Sequence, residues 1–211
     1  MAKSALIANQ GLCCWIILAI VLVSQSRFSE GKPVRQNTLK PSDLTKCQNI
    51  SRSLVNVVAE TLSNLQQEFA EEFRCTFDNI SVEDVTNKEV NTVTACLPKV
   101  YPENSVCQKM NRTALDETTC LKAIHADLKA FNKELQDLSP SLNDVMKELM
   151  KALKVQNKKD EDTKTSPCST FECKYKKCGA MLAFRLRSVT IARVLNYLKE
   201  ENTKDQNRKK Q

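Results

Sequence analysis

Ten cysteines, one histidine and three Asn-x-Ser/Thr sequons are the residues of this chain whose types and spacing invite chemistry. The cysteines are Cys13, Cys14, Cys47, Cys75, Cys96, Cys107, Cys120, Cys168, Cys173 and Cys178, and none forms a Cys-x-x-Cys pair. With His125 as the sole histidine, the sequence argues against a zinc site built from Cys and His ligands. His125 sits among Lys122, Asp127 and Lys129, a setting that reads as solvent-facing. A catalytic constellation needs a nucleophile, a base and an orienting group converging on a pocket, and nothing here nominates them. There is no Gly-rich phosphate loop and no paired-carboxylate motif, so neither an enzyme nor a cofactor is expected. The chemistry left to the cysteines is disulfide formation, which needs an oxidising compartment.

Residues 1–26 supply the route to one. Lys3 gives a positive start, Leu12 to Val23 is an apolar run too short for a confident span, and Ser24-Gln25-Ser26 offers small residues for cleavage after Ser26. No later segment is apolar enough to cross a bilayer, so a secreted, extracellular chain with no membrane insertion after cleavage is expected. Eight cysteines then remain as disulfide candidates. The sequons at Asn49, Asn79 and Asn111 fit the same compartment as glycosylation candidates. The net charge of +7 is modest and mixed in sign; only 199–211 clusters charge without apolar spacing. That segment reads as a solvated tail rather than a heparin or nucleic-acid arm, and no interleaved aromatics suggest stacked bases.

The elements that must position these residues are helical. Three glycines in 211 residues argue against a turn-rich β-sandwich. After a polar segment 27–41, expected to be disordered, Ser42 offers an N-cap. Leu44, Cys47, Leu54, Val58, Leu62, Leu65, Phe69 and Phe73 then recur at helical spacing, predicting a helix over 42–73. Residues 76–112 lose the period, and Pro98 and Pro102 forbid a continuous helix, so a long loop with a short helix or strand is expected. A second helix is predicted over 114–138 and a third from Ser141, separated by Ser139-Pro140. A charged linker over 156–167 precedes a fourth helix over 171–199, leaving 200–211 as a flexible tail and 42–199 as one domain. Two long connections flanking a tight turn describe an all-α, up-up-down-down four-helix bundle.

The fourth helix has two apolar stripes. Ala180, Ser188, Ile191, Leu195 and Leu198 fall within about 40° of Phe184, while Leu182, Leu186, Val189 and Tyr197 fall within about 40° of Arg193. The second stripe is either the back of a central helix with a snorkelling arginine or a face awaiting a partner. The periodicity leaves both open.

At this point particular segments resemble a known family. Residues 181–198, MLAFRLRSVTIARVLNYL, are similar to the fourth helix of the interleukin-12 alpha subunit family. EDVTNKEVNTVTACLP at 83–98 resembles its segment after the first helix. CLKAIHADLKAFNKEL at 120–135 and MKELMKAL at 146–153 resemble its second and third helices. The shortened 97–119 and the additional Cys168 and Cys173 depart from the mammalian pattern. The resemblance implies a secreted helical cytokine subunit joined through a disulfide to a receptor-like beta subunit. Such a heterodimer signals through cell-surface cytokine receptors to promote interferon-gamma production and type 1 immunity. It further implies bridges Cys75–Cys178 and Cys96–Cys120, a beta-subunit face formed by Arg193 with Leu182, Leu186, Val189 and Tyr197, and a receptor contact at Phe171. Cys107 corresponds either to the thiol that bridges to the beta subunit or to one that closes an internal bridge to Cys47; its neighbours Glu103 to Val106 favour the former. A self-sufficient cytokine of the interleukin-6 or colony-stimulating type is the alternative.

Overall fold

A computed structural model describes residues 39–96, 115–155 and 170–208. The expected signal peptide, most of the segment 27–41, Cys107, Asn111, the linker 156–167 and Cys168 lie outside the described residues. Among the described residues there are five helices: α1 (Pro41–Glu68), α2 (Thr92–Cys96), α3 (Glu117–Leu135), α4 (Pro140–Ala152) and α5 (Phe171–Arg208). No strand occurs among the described residues, and none of their helices is long and apolar enough to cross a membrane.

The helix ends depart from the expected ones for local reasons. α1 begins at Pro41 rather than being capped by Ser42. Proline's fixed φ suits the first helical position and its missing N–H leaves no donor there unpaired, while Lys40 is extended before it. The preceding Leu39 is already buried, so order begins before residue 42. α1 also stops at Glu68, not Phe73. The apolar period continues through Phe69 and Phe73, but in turns closed by the Phe73 amide donating to the Phe69 carbonyl at 2.8 Å. Those turns carry the chain to Cys75.

α3 starts at Glu117, where the Asp116 carboxylate accepts from the Thr119 amide at 3.1 Å, and it ends at Leu135. α4 starts at Pro140 with Ser139 as its cap, one residue ahead of the expected Ser141. α5 continues nine residues past Lys199, so most of the expected flexible tail is helical. Nothing in 199–208 is Gly or Pro, and Glu201–Lys204 form an ion pair at 2.7 Å along the helix.

α1 packs against α4 and α5, and α3 packs against the same two. The Lys154 ammonium, just past α4, meets Asp43 in the first turn of α1 at 2.7 Å, so α1 and α4 run antiparallel. Near the start of α1, Gln48 bonds Asn196 and Lys199. At its other end, Cys75 is bonded to Cys178 near the start of α5, so these two are also antiparallel. Between the helices lies one core, with the rings of Phe131 and Phe184 4.7 Å apart at its centre.

The connection after α1 is strapped across α5. The Glu83 amide donates to the Gly179 carbonyl at 3.2 Å. A Cβ at Gly179 would come within 2.7 Å of the Ser81 carbonyl oxygen, which is why the residue beside Cys178 has no side chain. α2 then docks on α3 and α5 and is tied to α3 by the Cys96–Cys120 disulfide.

Candidate functional site

α5 answers its own question in two halves. From Lys177 to Phe184 every residue is buried, and at Gly179 the strap of Ser81 to Glu83 lies directly against the helix. Leu182, expected on a partner face, is therefore fully enclosed and cannot meet a partner. From Arg185 onward part of the back of the helix opens, although Arg187 stays tied to the strap through Asp84. Leu186 is 56% exposed, Arg193 is exposed, and Val189 and Tyr197 are half-buried. The opposite stripe of Ala180, Phe184, Ser188, Ile191, Leu195 and Leu198 is buried throughout. Arg193 is thus not a core arginine. It lies beside Asn196, whose side-chain oxygen is 3.4 Å from the Arg52 guanidinium of α1.

The buried arginine is a different one. Arg187 is 5% exposed; its Nη1 donates to Asp127 Oδ2 at 2.8 Å and its Nη2 to Asp84 Oδ2 at 2.5 Å. Asp127, fully buried on α3, also accepts from the Thr92 amide at the start of α2 at 2.9 Å. Burial pushes the Asp84 carboxyl up, but the Thr86 amide and hydroxyl at 3.0 and 2.8 Å and the Arg187 charge outweigh it and hold it below its ordinary value. One guanidinium therefore ties α3, α5 and the strap together. A sequence signal existed: Asp127 falls in phase with Ile124, Leu128 and Phe131, a charge on an apolar stripe.

A second candidate face lies at the start of α5. Phe171 is 56% exposed and packs edge-on to Phe73 at 5.3 Å between centroids. Phe73 also meets Tyr175 at 5.7 Å and Phe69 at 5.2 Å. Sequence reasoning found Phe171 and missed the cluster, because Phe69 and Phe73 read as the end of the first helix. Beside the cluster is a cleft of about 260 Å³ between the end of α1, the turn after α3 and α5, lined by Leu65, Phe69, Asp137 and Lys177 among others.

The cysteines divide cleanly. Cys75–Cys178 and Cys96–Cys120 are bonded. Cys47 is a buried free thiol, raised to about 11 by desolvation and by the nearby Asp43 charge. An internal Cys47–Cys107 bridge is therefore not formed. Cys173 is also disulfide-bonded. His125 is half-buried, its pKa lowered by burial and then by Lys129, while the neighbouring Asp127 is committed to Arg187 and Thr92. No cluster of metal-ligating side chains occurs among the described residues. Asn49 and Asn79 are both exposed.

Comparison with known proteins agrees with this architecture. The family profile described as interleukin-12 alpha subunit matches residues 13–201. The chain is 28% identical over 214 residues to the interleukin-12 subunit alpha of Marmota monax, covering 87% of this chain and 96% of that protein. It is 29% identical over 216 residues to that of Sus scrofa, covering 87% and 95%. To that of Lama glama it is 30% identical over 182 residues, covering 72% and 82%. The two segments on which the sequence resemblance is most specific, the one containing Asp84 and the one containing Arg187, are the two that this ion pair joins. The chain belongs to the interleukin-12 alpha subunit family.

Proposed function

We propose that this cytokine alpha subunit, which is not an enzyme, is cleaved after Ser26, secreted, and joined to a receptor-like beta subunit. The pair signals through cell-surface cytokine receptors to promote interferon-gamma production and type 1 immunity. The antiparallel packing of α1 with α4 and α5 supports up-up-down-down wiring of the bundle. The observation that carries the pairing is the open back of α5, where Arg193 is exposed beside Leu186, Val189 and Tyr197 in a chain whose other α5 face is fully buried. A guanidinium with an apolar collar is the composition of an interface anchor: the collar excludes water and the fork meets a carboxylate in two places. Leu182 drops out of that face, and Arg193, Leu186, Val189 and Tyr197 remain. The cluster around Phe171 is the surface we assign to a receptor, since exposed aromatic side chains supply large contact area.

Titration of a beta subunit against folded wild-type and Arg193→Ala chains tests the assignment. The exposed position predicts an unchanged circular-dichroism melt but binding weaker by ~2 kcal/mol or more, with Arg193→Lys recovering only part because it lacks the fork. Equal affinity of wild type and Arg193→Ala would remove the arginine from the interface. Cys107 is assigned the intersubunit bridge, a role favoured by the unbonded state of Cys47. On a non-reducing gel of co-secreted subunits, Cys107→Ser is expected to abolish the covalent dimer while co-purification persists; a surviving covalent band would move the bridge to another cysteine.

A further inference from the structure

The turn between α1 and the strap brings together a sequon and an exposed ring. Phe77 stands two residues before Asn79 and is 43% exposed, although it is a large apolar side chain. Both sit in one tight turn, in which the amides of Asn79 and Ile80 donate to the Thr76 carbonyl at 3.2 and 3.0 Å. The turn is anchored on every side. Cys75 precedes it in a disulfide, Ile80 is buried after it, and the Tyr175 hydroxyl donates to the Asn79 carbonyl at 3.4 Å. The Arg185 guanidinium lies 5.9 Å from the centre of the Phe77 ring, holding that ring against α5.

We infer that Asn79 carries an N-linked glycan whose first sugar packs its apolar C–H face on the ring of Phe77. The inference rests on the reading that the chain is secreted. In the transfer, Nδ2 of Asn79 attacks C1 of the first N-acetylglucosamine on a polyisoprenyl-pyrophosphate donor. The N–C1 bond forms as C1–O breaks, the pyrophosphate leaves with the electron pair, and Nδ2 gives up one proton. The amide keeps its other N–H, which remains a donor for the bond from Nδ2 to Thr76 Oγ1, 2.9 Å here. The electron-rich face of an aromatic ring attracts the weakly positive C–H groups of a sugar, and a ring held by an anchored turn loses little freedom in the contact. Asn49 offers no such platform. Lys46, Cys47 and Gln48 precede it, and the Ser51 hydroxyl of its sequon is buried and donates to the Gln48 carbonyl at 2.8 Å.

Four secreted forms test the inference: wild type, Ser81→Ala, Phe77→Ala and the double variant. Ser81→Ala removes the sequon yet leaves every hydrogen bond of Asn79 in place. Peptide mass mapping of the wild type is expected to find sugar on Asn79. Loss of that sugar through Ser81→Ala should lower Tm by about 2–4 °C when Phe77 is present, the scale of one modest contact in a chain of this size. In the Phe77→Ala background the same change should move Tm by less than about 1 °C, which separates the stacking from any effect of Phe77→Ala alone. Equal shifts in the two backgrounds would overturn the stacking, and a secreted glycoprotein bearing sugar only at Asn49 or Asn111 would overturn the site. An uncleaved cytosolic product would overturn the secretion reading itself, and the inference with it.

Discussion

Replacing Cys75 and Cys178 together by alanine is expected to lower stability by about 4–5 kcal/mol, as read from the guanidinium unfolding midpoint at constant slope. The bond joins positions 103 residues apart, so cutting it restores to the unfolded chain the freedom of a very large loop. Cys96–Cys120 spans only 24 residues and is an internal control: its removal should cost about 3.5 kcal/mol on the same reasoning. Both cysteines of the larger pair are fully buried, and alanine avoids leaving a hydroxyl there without a partner. The local consequence should appear in hydrogen exchange. The Glu83 amide, bonded to Gly179 beside Cys178, should lose protection before amides in the middle of α1. A reversed order of the two disulfides would show that packing around each bond, rather than loop closure, sets its contribution.

Arg187→Met should cost about 3–5 kcal/mol, the usual result of removing one partner from a buried ion pair. Methionine keeps most of the volume and strands Asp127, which is fully buried and has no second cation within reach in the described contacts. Changing Asp127 to Asn at the same time should recover a large part of the loss, because the uncompensated charge is then gone. The same network predicts the acid limb of stability. The folded chain holds Asp84 below its unfolded value, so this contribution is present above about pH 4 and is lost as pH falls through the lower folded value. Unfolding free energy measured from pH 7 downward should therefore decline below about pH 4 in the wild type and more shallowly in Arg187→Met. A loss under about 1 kcal/mol on substitution would mean that water reaches the site and the pair is worth no more than a surface one.

What could be read before the structure was the part written in local periods. The apolar ladders of α1, α3, α4 and α5 are strong enough to place four helices, and the buried stripe of α5 around Phe184 lies where its angles put it. Ends were less legible because a cap is a competition among adjacent residues: Pro41 beside Ser42, Ser139 beside Ser141. Leu182 was misplaced for another reason. Helical angle says which side a residue faces, not what covers that side, and the segment that crosses α5 at Gly179, Ser81 to Glu83, comes from about a hundred positions earlier in the chain. Asp127 stood on an apolar stripe, but its partner Arg187, 60 residues away, needed the fold that brings the two within 2.8 Å. Phe171 was found through family resemblance, whereas the rings that hold it, Phe73 and Tyr175, needed the fold.

The thiol of Cys47 makes correct pairing a question of timing. In the folded chain it is enclosed and raised to about 11, so at neutral pH only about one molecule in 10⁴ carries the reactive thiolate there. Exchange with a disulfide requires that thiolate and a path to the sulfur atom, and the native core denies both. Before α1 docks, the same sulfur is an ordinary exposed thiol that competes with Cys75, Cys96, Cys120 and Cys178 for partners. A nascent chain that packs Leu44, Cys47 and Leu54 early removes that competitor from the oxidation reaction. One that packs them late enters a scrambled set from which it returns only through thiol–disulfide exchange or reduction. Helix docking in this protein thus acts as a protecting group, and the rate of docking relative to oxidation governs the yield of native chain.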